Sequence, residues 1–341
     1  MSWISVCCHC PMTSSKRAKV TAIATSVLLM VIAGFAPAIV MGVLGWQSAV
    51  NVAMLGGLAA FLACVMGRGW QTGLVIAVPY SVMTALTVWA APYPLAAAIV
   101  LAAAAFGRGY GAKVGLHNAL LTTVIALGFL VAAPPKFDTA VPSAVVAGLI
   151  MLGTTLWVTL VVFISRRWVH PPTLSPVDTA AVLWFSSTLA LLVGVATWFI
   201  VDFKLGHAGA WIILTIAVVY QPSARAGMKK AGQRALGTFL GFLIAMLVSL
   251  AVSSGPLLYL LGTVFMVASI VVMLSGKPYW WFIALLTPAV VLFSSAGSVV
   301  TKVAVERLDA TLIGLAAVLL VVLIEIPLGR RFRPKANDTK S

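Results

Sequence analysis

Apolar runs about as long as a membrane helix recur along the whole chain, separated by charged residues, glycines and prolines. A bilayer core about 30 Å thick needs roughly 20 consecutive apolar residues in an α-helix. Dividing the sequence at its polar breaks gives twelve such runs, which we expect to be transmembrane helices. They cover approximately residues 20–43, 46–66, 71–90, 93–107, 115–133, 142–165, 178–201, 207–221, 234–253, 257–275, 279–296 and 304–327. The pattern predicts an all-α polytopic membrane protein.

Composition agrees with a lipid environment. Apolar residue types make up 62% of the 341 residues and charged types only 9%, whereas soluble domains carry about 25% charged residues. A water-soluble surface needs more polar groups than this chain has, so the lipid bilayer is its expected partner. The net charge of +15 does not indicate nucleic-acid binding, because no Lys/Arg tract is interleaved with aromatic residues and no nucleic-acid-binding module is present.

The positions of the basic residues predict the orientation. Of the 22 Lys and Arg residues, 18 fall in the two termini or in loops that follow an even-numbered run. The loops after odd-numbered runs hold only Lys136, Lys204 and Lys302, and Arg307 lies in the last run. Because basic loops stay on the cytoplasmic side, we expect both termini to be cytoplasmic.

The N-terminal residues 1–19 are predicted to be a cytoplasmic tail. The run that follows is longer than the 7–15 apolar residues of a signal peptide, so it is expected to be retained as the first helix. The tail contains the contiguous motif "CCHC" at 7–10. Four adjacent residues do not wrap tetrahedrally round a zinc ion, which favours ligand pairs separated by two to four residues. No metal site and no cofactor are expected.

The chain also resembles itself at an offset of 165 residues. Residues 119–122 and 284–287 share the letters ALLT. The same offset aligns Trp46 with Trp211, Gly67 with Gly232, Gly111 with Gly276 and Arg166 with Arg331. An even number of helices in each half gives the halves one orientation, so we predict two parallel six-helix halves.

The predicted organisation follows from this duplication. Residues 20–165 form the first transmembrane half, which has diverged more, and 179–329 form the second. The proline-rich segment 166–178 is a cytoplasmic linker between them, and 330–341 is a basic cytoplasmic tail.

A charged motif occurs twice in the second half. "RALGTFLG" (234–241) and "RLDATLIG" (307–314) share the pattern R-x3-T-x2-G. At about 100° per residue, its three positions lie along one stripe of a helix. The stripe carries a guanidinium, a hydroxyl and a bare backbone position to which another helix or a ligand can come close.

The second half resembles the fusaric acid resistance and aromatic acid exporter family (FUSC-like) of bacterial inner-membrane proteins, most strongly over residues 180–325. The similarity is carried by the segment 209–241, with its W-x3-T, QP and R-x2-GT-x2-G motifs, by "KPYWWFIALLTP" at 277–288 and by "ERLDATLIG" at 306–314. This resemblance implies export of organic, often aromatic, acids or related toxic compounds from the cytoplasm, in concert with envelope partners or as a homo-oligomer.

An organic anion needs cations to replace its hydration and an apolar wall for its ring. Arginine suits a carboxylate because its planar fork donates two parallel hydrogen bonds. The predicted substrate-binding residues are Arg307, Arg234, Thr238, Thr311, Trp211, Tyr279 and Trp280. An intramembrane carboxylic acid is readily protonated, so Asp309 and Glu306 are the candidates for coupling export to a proton gradient.

Structural alternatives exist for each of these residues. Glu306, Arg307 and Asp309 could form a solvated helix cap at the periplasmic interface. Arg234 follows two lysines and could be a cytoplasmic anchor, and the tryptophans could form an interfacial belt. Glu325 is expected to pair with the terminal arginines.

Three function classes remain open. The first is a proton-driven secondary exporter of small organic acids, and the second is a non-catalytic scaffold or accessory subunit of an efflux assembly. An enzyme is disfavoured, because the sequence contains no nucleophile–base pair, metal ligand set or phosphate-binding loop.

Overall fold

The structure is a computed structural model that describes residues 28–29, 31–167, 173–174, 176–252, 254–275, 277–294 and 300–332. The N-terminal tail with its "CCHC" motif, part of the predicted linker and most of the predicted C-terminal tail lie outside the described residues.

The described residues are α-helical with short connections, and they contain no β-strand. A five-residue π-helical segment, Val31–Phe35, leads into the first α-helix. In chain order the α-helices are α1 Ala36–Val43, α2 Gln47–Met66, α3 Trp70–Ala90, α4 Pro94–Tyr110, α5 Leu121–Ala132, α6 Ser143–Ile164, α7 Thr179–Asp202, α8 Gly206–Val219, α9 Ala224–Ala251, α10 Gly255–Leu274, α11 Tyr279–Ser294 and α12 Val300–Phe332.

Each of the twelve predicted apolar runs overlaps one of these helices. Within the described residues, seven helices are long and apolar enough to cross a membrane: α2, α3, α4, α6, α7, α9 and α12. The segments around α1, α5, α8, α10 and α11 are apolar but contribute only 10–17 residues each. The all-helical class is therefore confirmed, whereas twelve crossings in two halves stay a prediction.

The outer surface of the helical assembly is apolar. Large apolar side chains such as Val43 and Leu250, both 83% exposed, are not covered by the rest of the protein. The interior is built mainly from small residues, valine, leucine and isoleucine, and it contains many buried threonines. Such extensive exposed apolar surface is stable in lipid and not in water. The chain is a multi-pass membrane protein.

Tight turns connect several of the helices. Only three residues separate α2 from α3, and the last of them, Gly69, has a φ of 68°. A similar left-handed conformation at Gly115, with φ of 77°, ends the 3₁₀ turn Gly111–Val114 that follows α4. Glycine adopts this conformation without a Cβ penalty.

Several helix pairings occur twice, six helices apart. In the first half α2 packs on α6, α3 on α6 and α4 on α5. In the second half α8 packs on α12, α9 on α12 and α10 on α11. The two sets of helices are joined chiefly by α4 against α7 and by α5 against α8. These repeated pairings agree with the proposed duplication, which nevertheless rests on the sequence offset.

Candidate functional site

Two buried arginines of the second half lie close together where α8, α9, α11 and α12 meet. Arg234 of α9 is 2% exposed and Arg307 of α12 is 3% exposed. Trp211 and Thr215 of α8, together with Tyr279 at the start of α11, surround the two guanidinium groups. We refer to these five residues as the arginine site.

Hydrogen bonds fix the side chain of Arg234. Its Nε donates to Oγ1 of Thr215 at 3.1 Å, and its Nη1 donates to the hydroxyl of Tyr279 at 3.2 Å. The Thr215 hydroxyl in turn donates to the backbone carbonyl of Trp211 at 2.8 Å. The hydroxyl is therefore oriented by its own helix, with its lone pairs available to the guanidinium.

An aromatic ring holds Arg307. Its Cζ lies 4.1 Å from the ring centroid of Trp211, which is a close cation–π contact. Trp211 packs edge-to-face on Phe129, with centroids 5.0 Å apart. Nη1 of Arg307 is buried, and no atom in the described part of the chain accepts a hydrogen bond from it. Arg307 thus retains an unused buried donor.

The arginine site carries uncompensated positive charge. Arg234 and Arg307 are near enough for their charges to interact. Across the described ranges, the contacts of both arginines are to hydroxyl groups and aromatic rings, and neither forms a salt bridge. Two buried like charges are costly without an anion between or beside them. The arrangement is therefore suited to receiving an anionic group.

The two R-x3-T-x2-G stripes are the lines along which helices pack. A Cβ at Gly314 would lie 2.8 Å from Cβ of Thr215, so α12 contacts α8 there. A Cβ at Gly237 would lie 2.6 Å from the carbonyl oxygen of Trp280, and one at Gly241 would lie 2.6 Å from Cβ of Thr287. Both stripes therefore allow the close backbone approach that their glycines predict.

The remaining predicted binding residues occupy less direct positions. Thr238 and Thr311 are buried one turn beyond the two arginines. The Thr311 hydroxyl donates to the backbone carbonyl of Arg307 at 2.9 Å, so it faces its own helix. Trp280 stacks on Trp281, with ring centroids 4.4 Å apart, and approaches α9 through its backbone.

The structure separates the three adjacent charges of α12. Arg307 is buried, whereas Glu306 and Asp309 are exposed on the outer face of the helix. The premise that Glu306 and Asp309 are buried intramembrane acids is therefore wrong. Arg307 in turn is not part of a solvated cap, and Arg234 points into the assembly, unlike a surface anchor.

Glu325 has partners that sequence reasoning missed. It accepts hydrogen bonds from Nε1 of Trp184, at 2.8 Å, and from the hydroxyl of Tyr220. Burial and the hydrogen bond to Glu325 raise the pKa of Tyr220 above its usual value. The side chains of Arg330 and Arg331, the expected partners of Glu325, lie outside the described part of the structure.

Part of the second half is similar to a known protein family. Residues 189–321 match the family model described as "Fusaric acid resistance protein-like". This part of the second half is similar to that family. This region includes every residue of the arginine site and both R-x3-T-x2-G stripes. No curated protein and no solved structure is detectably similar to the chain.

Thr215 is the functional candidate that sequence reasoning did not select. It belongs to the W-x3-T motif of the fusaric acid resistance protein-like region, four residues after Trp211. That spacing places both side chains on the same face of α8. The helical period thus contained the signal, although the partner, Arg234, could be identified only from the packing of α9 on α8.

Proposed function

We propose that the chain exports small organic acids, chiefly aromatic ones, across a bacterial inner membrane. A membrane transport or resistance role is what the matched family indicates. The observation that supports this substrate class is the pairing of Arg234 and Arg307 beside the indole of Trp211, without a carboxylate partner in the described residues.

The chemistry of the arginine site fits an aromatic carboxylate. Nη1 of Arg307 has no hydrogen-bond partner in the described residues, so a carboxylate oxygen can accept from it. Charge-assisted hydrogen bonds of this kind are roughly twice as strong as neutral ones. The indole of Trp211, now covered by the guanidinium, and the phenol of Tyr279 offer surfaces for a ring. Two cations together replace the hydration that the carboxylate loses on leaving water.

Access to this site requires helices to separate. Both arginines are nearly fully buried, so an acid reaches them only when α8, α9, α11 and α12 move apart. At Gly237, Gly241 and Gly314 the backbones of these helices come close to the neighbouring helix. Transport then consists of opening these contacts first toward the cytoplasm and later toward the periplasm, with the acid held at the arginines in between.

Proton coupling belongs to the same proposal, but its carboxylates need a new argument. Asp309 and Glu306 were selected on the premise that they are buried, and both are exposed. The structure therefore gives neither carboxylate an argued role in proton coupling. Proton exchange is therefore tested on the whole protein, by imposing a pH gradient, with Asp309→Asn as one variant.

The test uses inside-out vesicles that contain the full chain. We expect uptake of radiolabelled benzoate under an imposed gradient, acid inside, and its loss in Arg307→Gln and Arg234→Gln. The matched control is Arg166→Gln, because Arg166 is exposed and stacks on Phe163 with Cζ 4.5 Å from the ring. The control should transport like the wild type. Equal benzoate uptake in vesicles with and without the protein would contradict the proposal. So would equal uptake by the wild type and the two arginine variants at matched expression.

An accessory role in an efflux assembly is the second candidate. Glu306 and Asp309 are exposed on α12 beside apolar residues such as Leu312 and Ile313. Carboxylates on such a face are better accommodated against another protein than against lipid. Under this alternative, the double variant Glu306→Gln with Asp309→Asn no longer protects cells from organic acids. Vesicles that contain the purified protein then show no benzoate uptake, with either the wild type or the variant.

A further inference from the structure

A third buried arginine without an anionic partner in the described residues lies outside the arginine site. Arg108, in the last turn of α4, is 1% exposed. Its Nε donates to the backbone carbonyl of His117 at 3.1 Å. Both Nη1 and Nη2 are buried, and within the described ranges neither has a hydrogen-bond partner. The guanidinium therefore presents two unused donors side by side, which is the geometry that binds a carboxylate in bidentate fashion.

A second cation stands close to Arg108. Lys230 of α9 is half-buried, and its charge and that of Arg108 act on each other. Burial together with these two cations lowers the pKa of His117 to about 4. The histidine is therefore neutral at pH 7 and adds no positive charge to the group.

Asp178 and Glu325 each have hydrogen-bond partners of their own. Asp178, which precedes α7, accepts a hydrogen bond from the backbone N–H of Ala180. Glu325 accepts from Trp184 and Tyr220. Arg108 itself forms no salt bridge within the described part of the chain. An uncompensated buried guanidinium strongly opposes folding unless a ligand supplies the missing charge.

Aromatic rings border the two unused donors. Cζ of Arg108 lies 6.0 Å from the ring centroid of Phe185. Phe185 stacks on Tyr220, with centroids 5.4 Å apart and planes inclined by 18°. A charged fork next to a stacked aromatic pair repeats the chemistry of the arginine site, although here the guanidinium comes from α4 and the Phe185 ring from α7.

We propose that Arg108 and Lys230, with the Phe185 and Tyr220 rings, form a second binding site for an organic carboxylate. Its position suggests a place in transport. Lys230 and Arg234 are separated by one turn of α9, a rise of about 6 Å, so the two sites are neighbours along this helix. The predicted topology puts the start of α9 on the cytoplasmic side, which makes this second site the entry station. That transport role rests on the proposed export function, whereas the binding itself does not.

The experiment measures how many benzoate molecules the full chain binds. Protein in nanodiscs of neutral phosphatidylcholine is equilibrated with radiolabelled benzoate, and the number bound is determined by scintillation proximity. We expect two molecules per chain in the wild type and one in Arg108→Gln. Arg108→Lys, which keeps the charge but not the fork, should bind at the second site about tenfold more weakly. Arg166→Gln serves as the control and should bind two.

The outcomes separate this inference from the proposed function. If the wild type binds one benzoate, and that one is lost in Arg307→Gln but not in Arg108→Gln, the second site does not exist while the arginine site stands. If the single benzoate is lost only in Arg108→Gln, the second site stands and the arginine site fails. Loss of the second benzoate in discs of anionic phosphatidylglycerol would show that a lipid phosphate occupies the site, which would overturn the assignment to an organic acid.

Discussion

The contact between Arg307 and Trp211 provides a test of whether the buried arginine is kept for stability or for binding. We compare two substitutions that each remove one partner of this contact, Arg307→Met and Trp211→Leu. If Arg307 is retained for a ligand, removing it should cost the fold little. Removing the ring that holds it should cost much more.

The magnitudes follow from the geometry. In Arg307→Met, loss of the 4.1 Å cation–π contact costs about 2 kcal/mol. The substitution also removes Nη1, a buried donor without a partner in the described residues, and this raises the free energy of unfolding by about 1–3 kcal/mol. Loss of the repulsion from Arg234 raises it further. The expected result is a free energy of unfolding between unchanged and about 2 kcal/mol higher than the wild type.

Trp211→Leu should behave in the opposite way. It loses the same cation–π contact, about 2 kcal/mol. It also loses the edge-to-face contact with Phe129, worth about 1 kcal/mol. Arg307 then stays buried with even fewer partners. The variant should be destabilised by about 3 kcal/mol in total.

The assay is reversible unfolding in mixed detergent micelles, with sodium dodecyl sulfate as denaturant and circular dichroism as the signal. Benzoate uptake is measured on the same preparations. We expect Arg307→Met to abolish uptake while retaining wild-type stability. Destabilisation of Arg307→Met by as much as Trp211→Leu would refute the reasoning, because Arg307 would then be a structural residue.

Three further predictions concern the surroundings of the two cation sites. Thr215→Val removes the hydroxyl that accepts from Arg234 at 3.1 Å and should lower the free energy of unfolding by about 2 kcal/mol; Thr215→Ser should lose less than half of that, and equal losses would point to packing instead. Gly314→Ala places a Cβ 2.8 Å from Cβ of Thr215 and should cost about 1–3 kcal/mol. The control Gly232→Ala, where a Cβ meets open space on α9, should raise the free energy of unfolding by up to about 1 kcal/mol in the same assay. A higher free energy of unfolding in both variants would contradict the close contact at Gly314. Because the pKa of His117 is lowered to about 4, the unfolded chain binds a proton between about pH 6.5 and 4 that the folded chain refuses. Stability should therefore fall as the pH drops through this window, less steeply in His117→Gln, and identical slopes in the two proteins would show that His117 is not the group responsible.

The helices were predicted well because their signal is local. Each apolar run overlaps a helix, since hydrocarbon length and hydropathy are properties of consecutive residues. Their ends were predicted less well. The run 234–253 begins ten residues after the start of α9 at Ala224, because charged residues interrupt an apolar run without interrupting a helical backbone. The number of true crossings depends on how shorter helices such as α5 and α8 sit in the bilayer, which hydropathy does not determine.

Glu306 and Asp309 are exposed while Arg307 is buried because the three side chains point in different directions around α12. Relative to Arg307, Glu306 lies about 100° away around α12 and Asp309 about 200° away, whereas Thr311 and Gly314 return to within about 40°. The helical period therefore already favoured one buried arginine with two carboxylates outside its stripe. The prediction that Glu306 and Asp309 are buried together with Arg307 gave more weight to adjacency in sequence than to direction around the helix.

The sequence by itself determined that this protein lies in a membrane, that it is helical, that residues 189–321 resemble a known family, and which helix stripes carry its arginines. These are encoded by composition, periodicity and local motifs. Only the tertiary structure decided which cations meet. Arg234 is linked to Thr215 across two helices, and Arg108 approaches Lys230 from a helix more than a hundred residues earlier in the chain. Such approaches are set by how whole helices pack, because a side chain's period fixes the direction it points but not the helix that it encounters there.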